Sequence, residues 1–102
     1  MLEFQWDTAK AASNLQKHGV PFEYATRVFL DERRQDGMDM RHHYGEERRI
    51  TIGSIEGRVY VVAYTRRRAA IRLISARKAN ARETQKYHTF SAGPGSAANT
   101  DT

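Results

Sequence analysis

The sequence predicts an α+β fold: a curved antiparallel β-sheet flanked by three helices, in the order β-α-α-β-β-β-β-α. Three observations carry this. Between residues 48 and 76, runs rich in valine, isoleucine and tyrosine follow one another with only short turn sequences between them, the pattern of hairpin-linked strands. Ahead of them, two stretches within residues 8–29 space their apolar side chains as helices do. Behind them, Arg77 to Phe90 is made largely of helix-forming residues.

The elements follow in order. Leu2 to Trp6 alternates apolar and polar residues and reads as a short strand. Asp7 stands at an N-cap position, and Thr8 to His18 reads as a helix with Ala11, Leu15 and His18 on one face and Ala12 beside them. Gly19 ends it, where a positive φ is cheap for glycine. Pro21 restarts the chain into a second short helix carrying Phe22, Ala25, Val28 and Phe29, which ends over residues 31–34. The polar stretch 33–46 holds a short strand around Gln35 to Arg41 and a turn at Gly45. Arg48 to Ile55 and Arg58 to Thr65 are strands joined by a tight turn at Glu56-Gly57. Arg66-Arg67-Arg68 makes the next turn, and Ala69 to Ala76 is a strand of nearly continuous apolar character apart from Arg72. The last helix spans Arg77 to Phe90, with Ala79, Glu83 and Tyr87 on one side. Residues 1–90 make a single domain. Residues 91–102, S-A-G-P-G-S-A-A-N-T-D-T, have the composition of a disordered tail.

At 102 residues the chain holds one domain at most. It has no cysteine, which removes disulfides, thiol nucleophiles and cysteine metal sites and fits a cytoplasmic location. The N-terminal residues lack the basic-then-apolar pattern of a secretory signal, and no apolar run approaches the roughly 20 residues of a membrane helix, so no membrane association is expected. Lysine and arginine number 17 against 12 acids, a net charge of +5. A nucleic acid is the natural polyanionic partner for such a chain, and an acidic protein explains the charge equally well.

The densest group of candidate site residues is I-S-A-R-K-A-N-A-R-E-T-Q-K-Y, Ile74 to Tyr87. Arg77 and Lys78 fall at the expected strand-to-helix junction, with Arg82 and Lys86 four apart on one helical face. Cations held on rigid elements suit a phosphodiester and the charge that develops on it; they equally suit a solvated basic face. Lys17 and His18 close the first helix. His18 has a proton to exchange near neutral pH, but both residues also favour the negative end of the helix dipole, and His18 shares the spacing of Leu15 and Ala11. Arg48 and Arg77 would converge on one phosphate if their strands came close; the structural alternative for Arg48 is a pair with Glu46 or Glu47. Arg72, inside an apolar strand, requires either a carboxylate such as Glu83 or a cleft to point into. Tyr60 and Tyr64 share a strand face; the pair would suit base stacking, but a tyrosine in a strand reads rather as packing, as does Tyr87. Asp7, Asn14 and Glu83 read as capping and helix-packing residues. The segment Asp36 to His43 holds metal-ligand types, including His42 and His43, at no recognised metal spacing, and neither a metal nor a cofactor is expected.

Three segments, F-Q-W-D-T-A-K-A-A-S-N-L-Q-K-H-G-V-P-F-E at Phe4 to Glu23, G-E-E-R-R-I-T-I-G at Gly45 to Gly53, and I-R-L-I-S-A-R-K-A-N-A-R-E-T-Q-K-Y at Ile71 to Tyr87, resemble in order and spacing the opening, middle and closing motifs of the BrnT family of bacterial toxins. The resemblance implies a RelE/ParE-like fold and the toxin of a type II toxin-antitoxin system. It implies a metal-independent endoribonuclease that stops translation. It further implies a BrnA-like ribbon-helix-helix antitoxin, with operator DNA reached only through that partner. On this reading RNA is the substrate, Arg77, Arg48, Lys17 and His18 are the catalytic candidates, and Lys78, Arg82 and Arg72 bind RNA. The rival readings are a non-catalytic antitoxin-binding module acting as co-repressor, and an RNA-binding protein with no toxin role.

Overall fold

The computed structural model describes residues 2–39 and 47–91. In chain order the elements are β1 (Glu3–Gln5), α1 (Thr8–His18), α2 (Phe22–Ala25), a 3₁₀ segment (Thr26–Leu30), β2 (Gln35–Met38), β3 (Arg48–Ile55), β4 (Arg58–Arg67), β5 (Ala70–Lys78) and α3 (Ala81–Ser91). The five strands make one sheet in the order β1-β5-β4-β3-β2. The class is α+β, but the sheet is mixed where an antiparallel one was expected. β2 to β5 pair antiparallel, whereas β1 lies parallel to β5 with Phe4 opposite Ile71. No hairpin links β1 to β5, so nothing local forces the two to reverse.

The register divides the sheet into two faces. On one, Tyr60, Val62 and Tyr64 of β4 and Ile71, Leu73 and Ala76 of β5 pack on Val20, Phe22, Ala25, Val28 and Phe29. Phe4 joins this core, its ring centroid 5.4 Å from that of Phe29. Each fully buried valine, leucine, isoleucine or phenylalanine among them contributes about 1.5–3 kcal/mol. An extra residue in β5 keeps the packing in phase: Tyr64 pairs with Leu73 but Ala63 with Ser75, so Ile74 forms a bulge and Leu73 and Ala76 both face the helices. Gly53 is required where the 3₁₀ segment crosses β3, because a Cβ there would meet Val28 Cγ1 at 2.9 Å.

The second face carries Val59, Val61, Ala63 and Thr65 of β4, all buried. α3 lies across one end of it. Arg77 and Gln35, which point to this face by register, bond to Glu83 and to the Tyr87 carbonyl of α3.

Several expectations need correction. β5 does not end at Ala76; it continues to Lys78, which pairs with Tyr60. The last helix therefore begins at Ala81, not Arg77. Asn80 Oδ1 accepts from the Glu83 N–H and Glu83 Oε1 accepts from the Asn80 N–H, a reciprocal cap that sets the start. The second helix splits into α2 and the 3₁₀ segment, and the β4–β5 turn is moved to Arg68-Ala69, with Arg66 and Arg67 still in β4. In α1 the buried residue is Asn14, while Leu15 and His18 are exposed. The expected strand around Gln35 to Arg41 is seen as Gln35–Met38; Arg41, His42, His43, Gly45, Glu46 and the expected tail beyond Ser91 lie outside the described residues.

Candidate functional site

Asn14 explains how α1 is held against the sheet. β1 covers only residues 70–72 of β5 on its outer side, which leaves the backbone farther along in need of partners. The Asn14 side chain meets that need. Its Nδ2 donates to the Ala76 and Val20 carbonyls at 2.8 and 3.1 Å, and its Oδ1 accepts from the Ala76 N–H at 3.0 Å. This buried amide docks α1 along the β5 edge as a strand would. Asp7 occupies the N-cap position without a side-chain capping bond, and Gly19 closes the helix at φ 72° with its N–H on the Leu15 carbonyl.

Docking α1 in this way creates a cleft of about 240 Å³ lined by Lys10, Ser13, Asn14, Lys17, His18, Ile74 and Ser75. The α1 contributors recur at i, i+3, i+4, i+7 and i+8, one helical face. Three of the lining residues are lysine or histidine, and no carboxylate lines the cleft among the described residues. Lys17 and His18 sit at the C-terminal end of α1, where the helix dipole favours positive charge. Ser75 pairs with Ala63 and so belongs to the second face as well as to the cleft. The cleft is thus the place where α1 meets the rim of that face.

The same face carries the arginines. Arg48 and Arg72 flank Thr65 from opposite sides, each in register with it, so their Cα atoms stand about 10 Å apart, two strand spacings. Gln5 of β1 extends the row beyond Arg72. Arg72 has neither an ion pair nor a side-chain hydrogen bond among the described residues, and Glu83, its expected carboxylate, belongs to Arg77. Arg77 Nη1 and Nη2 each donate to a Glu83 oxygen at 2.9 Å. The Glu83 carboxylate raises the guanidinium above its ordinary value; the Arg77 hydrogen bonds in turn hold Glu83 below the usual carboxylate range, against the opposing effect of burial.

Arg77 and Arg48 do not converge. β4 lies between their strands, and Arg77 pairs four residues from the partner of Arg48, a separation of roughly 16 Å between backbones. The neighbours of Arg77 are Ser75, about 7 Å along β5 on the same face, and through it the Lys17 and His18 cleft. Lys78 alternates to the opposite side of β5 and is exposed. Arg82 lies on α3 beside Gln85, Lys86, Thr89 and Phe90. Glu47, one of the two partners considered for Arg48, pairs with Arg49 at 3.2 Å. Tyr60, Tyr64 and Tyr87 are all buried. Lys10 and Ser75 are cleft residues that motif reading missed. The seven-residue spacing of Lys10 and Lys17 was the available signal for the first, whereas the place of Ser75 depends on the bulge at Ile74.

Among the described residues no three histidine, aspartate or glutamate side chains group as a metal site would, and no helix is long and apolar enough to cross a membrane. Residues 6–83 match a protein family described as the ribonuclease toxin, BrnT, of a type II toxin-antitoxin system. No curated protein matches the chain.

Proposed function

The chain belongs to this family of type II ribonuclease toxins, and we propose that it cuts RNA at the α1–β5 cleft without a bound metal. One observation supports the place above all: Lys10, Lys17 and His18 line a cleft that opens onto the arginine-bearing face of the sheet. RNA cleavage of this kind needs a base for the ribose 2′-hydroxyl, positive charge for the phosphorane-like transition state, and an acid for the departing 5′-oxygen. His18 would take the 2′-hydroxyl proton as the 2′-oxygen attacks the adjacent phosphorus, and the bond to the 5′-oxygen would break as that oxygen takes a proton from solvent, leaving a 2′,3′-cyclic phosphate. Lys17 would face the charge on the non-bridging oxygens and Arg77 would add to it from the rim, oriented by Glu83. Arg72 and Arg48, farther across the face, would hold the backbone of the strand that leads into the cleft, with Arg82 on α3 at its margin and Lys78 meeting the RNA only where it passes round to the other side of β5. The partner expected to silence the protein is a BrnA-like ribbon-helix-helix antitoxin, which would carry the pair to operator DNA.

The test is incubation of the purified protein with single-stranded RNA in the presence of a chelator. The wild type should cut, and His18→Gln or Lys17→Ala should slow cutting by about 10²-fold or more. Intact RNA with the wild type, or wild-type rates in both variants, would sink the proposal. A second reading, an antitoxin-binding co-repressor without catalysis, is favoured by the Arg77–Glu83 pair, which occupies both arms of the guanidinium fork. Operator binding together with the antitoxin, combined with uncut RNA, would decide for it.

A further inference from the structure

Two of the large apolar side chains that the fold leaves exposed meet in one place. Leu30 is 77 % exposed and Leu2 48 % exposed, and both line a groove of about 320 Å³ with Phe4, Thr26, Arg27 and Phe29. The groove runs between β1 and the 3₁₀ segment. An apolar concentration of this kind, rimmed by polar groups, marks an interaction surface more often than scattered apolar residues do. Among the described residues β1 is also an edge strand: β5 pairs with one side of it and no strand with the other. Its outer backbone groups stand ready for a further strand.

The two features lie side by side, and together they define what fits. A strand added to β1 projects alternate residues to the groove side. Among the residues that line the groove the one charge is positive, that of Arg27. Arg27 stands at its lip, with Glu56 only at 4.0 Å and both side chains well exposed, so the charge is weakly offset. Arg66 lies on the same side of the sheet, in the row that runs through Ile71 to Phe4. The chain as a whole carries +5. We infer that an extended, acidic segment of the antitoxin adds to the outer edge of β1 and places its alternate apolar side chains in the Leu2–Leu30 groove. The inference takes its partner from the toxin-antitoxin reading, but the surface stands apart from the cleft at Lys17 and His18. Capture of the toxin and chemistry on RNA would therefore use separate residues.

The experiment uses the full chain and the protein encoded by the neighbouring reading frame, co-expressed and purified as the complex. Amide exchange on the wild-type complex should show Glu3–Gln5 and Thr26–Leu30 protected relative to the free toxin. Leu2→Asp with Leu30→Asp should weaken the complex by about 100-fold or more, and Leu30→Asp alone, at a side chain the core does not need, by about tenfold. The free variants should cut RNA at the wild-type rate. Unchanged affinity, or protection confined to α3, would overturn the inference. Protection of β1 in the free toxin that grows with its concentration would assign the edge to a second copy of the chain and overturn it as well. Failure of the wild type to cut RNA bears on the proposed chemistry alone, because weakened antitoxin binding in the leucine variants would still place the partner on β1.

Discussion

The β2–β3 side of the molecule and the α1–β5 side both concentrate cations, and they treat them differently. On the β2–β3 side, Arg34 and Arg49 converge on one carboxylate. Asp36 accepts from Arg34 at 3.1 Å and from Arg49 at 2.6 Å, and the Tyr64 hydroxyl donates to it as well. Arg34 Nη1 also donates to the buried Thr51 hydroxyl, and its guanidinium lies 4.8 Å from the Phe29 ring centroid. Burial first, and the Asp36 hydrogen bond second, push the Tyr64 hydroxyl above its ordinary pKa. On the α1–β5 side, Lys10, Lys17 and Arg72 have no carboxylate among the described residues. Arginines wired into a carboxylate network hold strands in register; the cations of the other side are left with their charge unmet by a carboxylate among the described residues. Arginine content alone does not tell the two sides apart; the position of the acids does.

The largest effect is expected at the centre of the wired side. Asp36→Ala removes the shared acceptor and leaves two guanidiniums and a buried tyrosine hydroxyl without it. The Asp36 side chain is 24 % exposed, so water relieves part of the loss. The expected cost is about 2–3 kcal/mol, below that of breaking a fully buried pair. Urea unfolding measures it, and a loss under about 1 kcal/mol would make this network as dispensable as a surface pair.

Asn14 tests the opposite side, where it is the polar residue that is tied. Asn14→Ala strips partners from the Ala76 N–H and carbonyl and from the Val20 carbonyl, and should cost about 2 kcal/mol. Since that amide positions α1 on β5, RNA cutting should fall in the surviving folded protein, measured under conditions where circular dichroism shows it native. Wild-type cutting by a destabilised variant would detach the cleft from the site.

Glu83 shares features of both sides, paired to Arg77, whose same-face neighbour Ser75 lines the cleft. Its folded-state pKa is depressed below the ordinary 4.5, so its contribution is present above that value and is lost as the pH falls through the lower, folded value. Asp31 acts with the same sign. Burial pushes its carboxyl up, but hydrogen bonds from the Tyr87 hydroxyl and the Ser54 and Arg33 N–H groups outweigh that and hold it below 3.8. Glu83→Gln should flatten, without abolishing, the fall of melting temperature below about pH 4.5. Arg77 is 41 % exposed, and solvent screening limits the pair to about 1 kcal/mol or less at neutral pH. An acid limb identical to that of the wild type would show that the pair is not a stabilising one.

Local rules made much of this legible. Asp7 and Gly19 bracket α1 at Thr8–His18, and the alternation and turn residues place β3 at Arg48–Ile55. Asn80 and Glu83 also carry the spacing of a helix cap, yet Arg77 and Lys78 are equally good helix residues, and only pairing with β4 shows that they are strand. The parallel contact of β1 with β5 depends on residues far apart in sequence, as does the bond of Asn14 to a backbone sixty-two positions away. The candidate site followed the same division. Lys17, His18, Arg72 and Arg77 are recognisable as residue types. Their grouping around β5, and the separation of Arg48 from Arg77, come from strand order, which no local pattern encodes.

The smallest effect on stability is expected at Arg72, and it separates the two sides most sharply. With no partner to orphan, Arg72→Ala should change unfolding free energy by no more than about 0.5 kcal/mol. If the second face binds the RNA backbone, the same substitution removes one phosphate contact. The slope of log affinity against log salt for a single-stranded RNA should then fall in magnitude by about 0.7, and affinity should drop regardless of sequence. Arg49→Ala should do the reverse, lowering stability and leaving the salt slope unchanged, because its charge is already met by Asp36. A salt slope unaffected by Arg72→Ala would mean that the absence of a carboxylate does not mark a ligand-facing cation in this protein. The α1 cleft would then have to bind RNA without the face beside it.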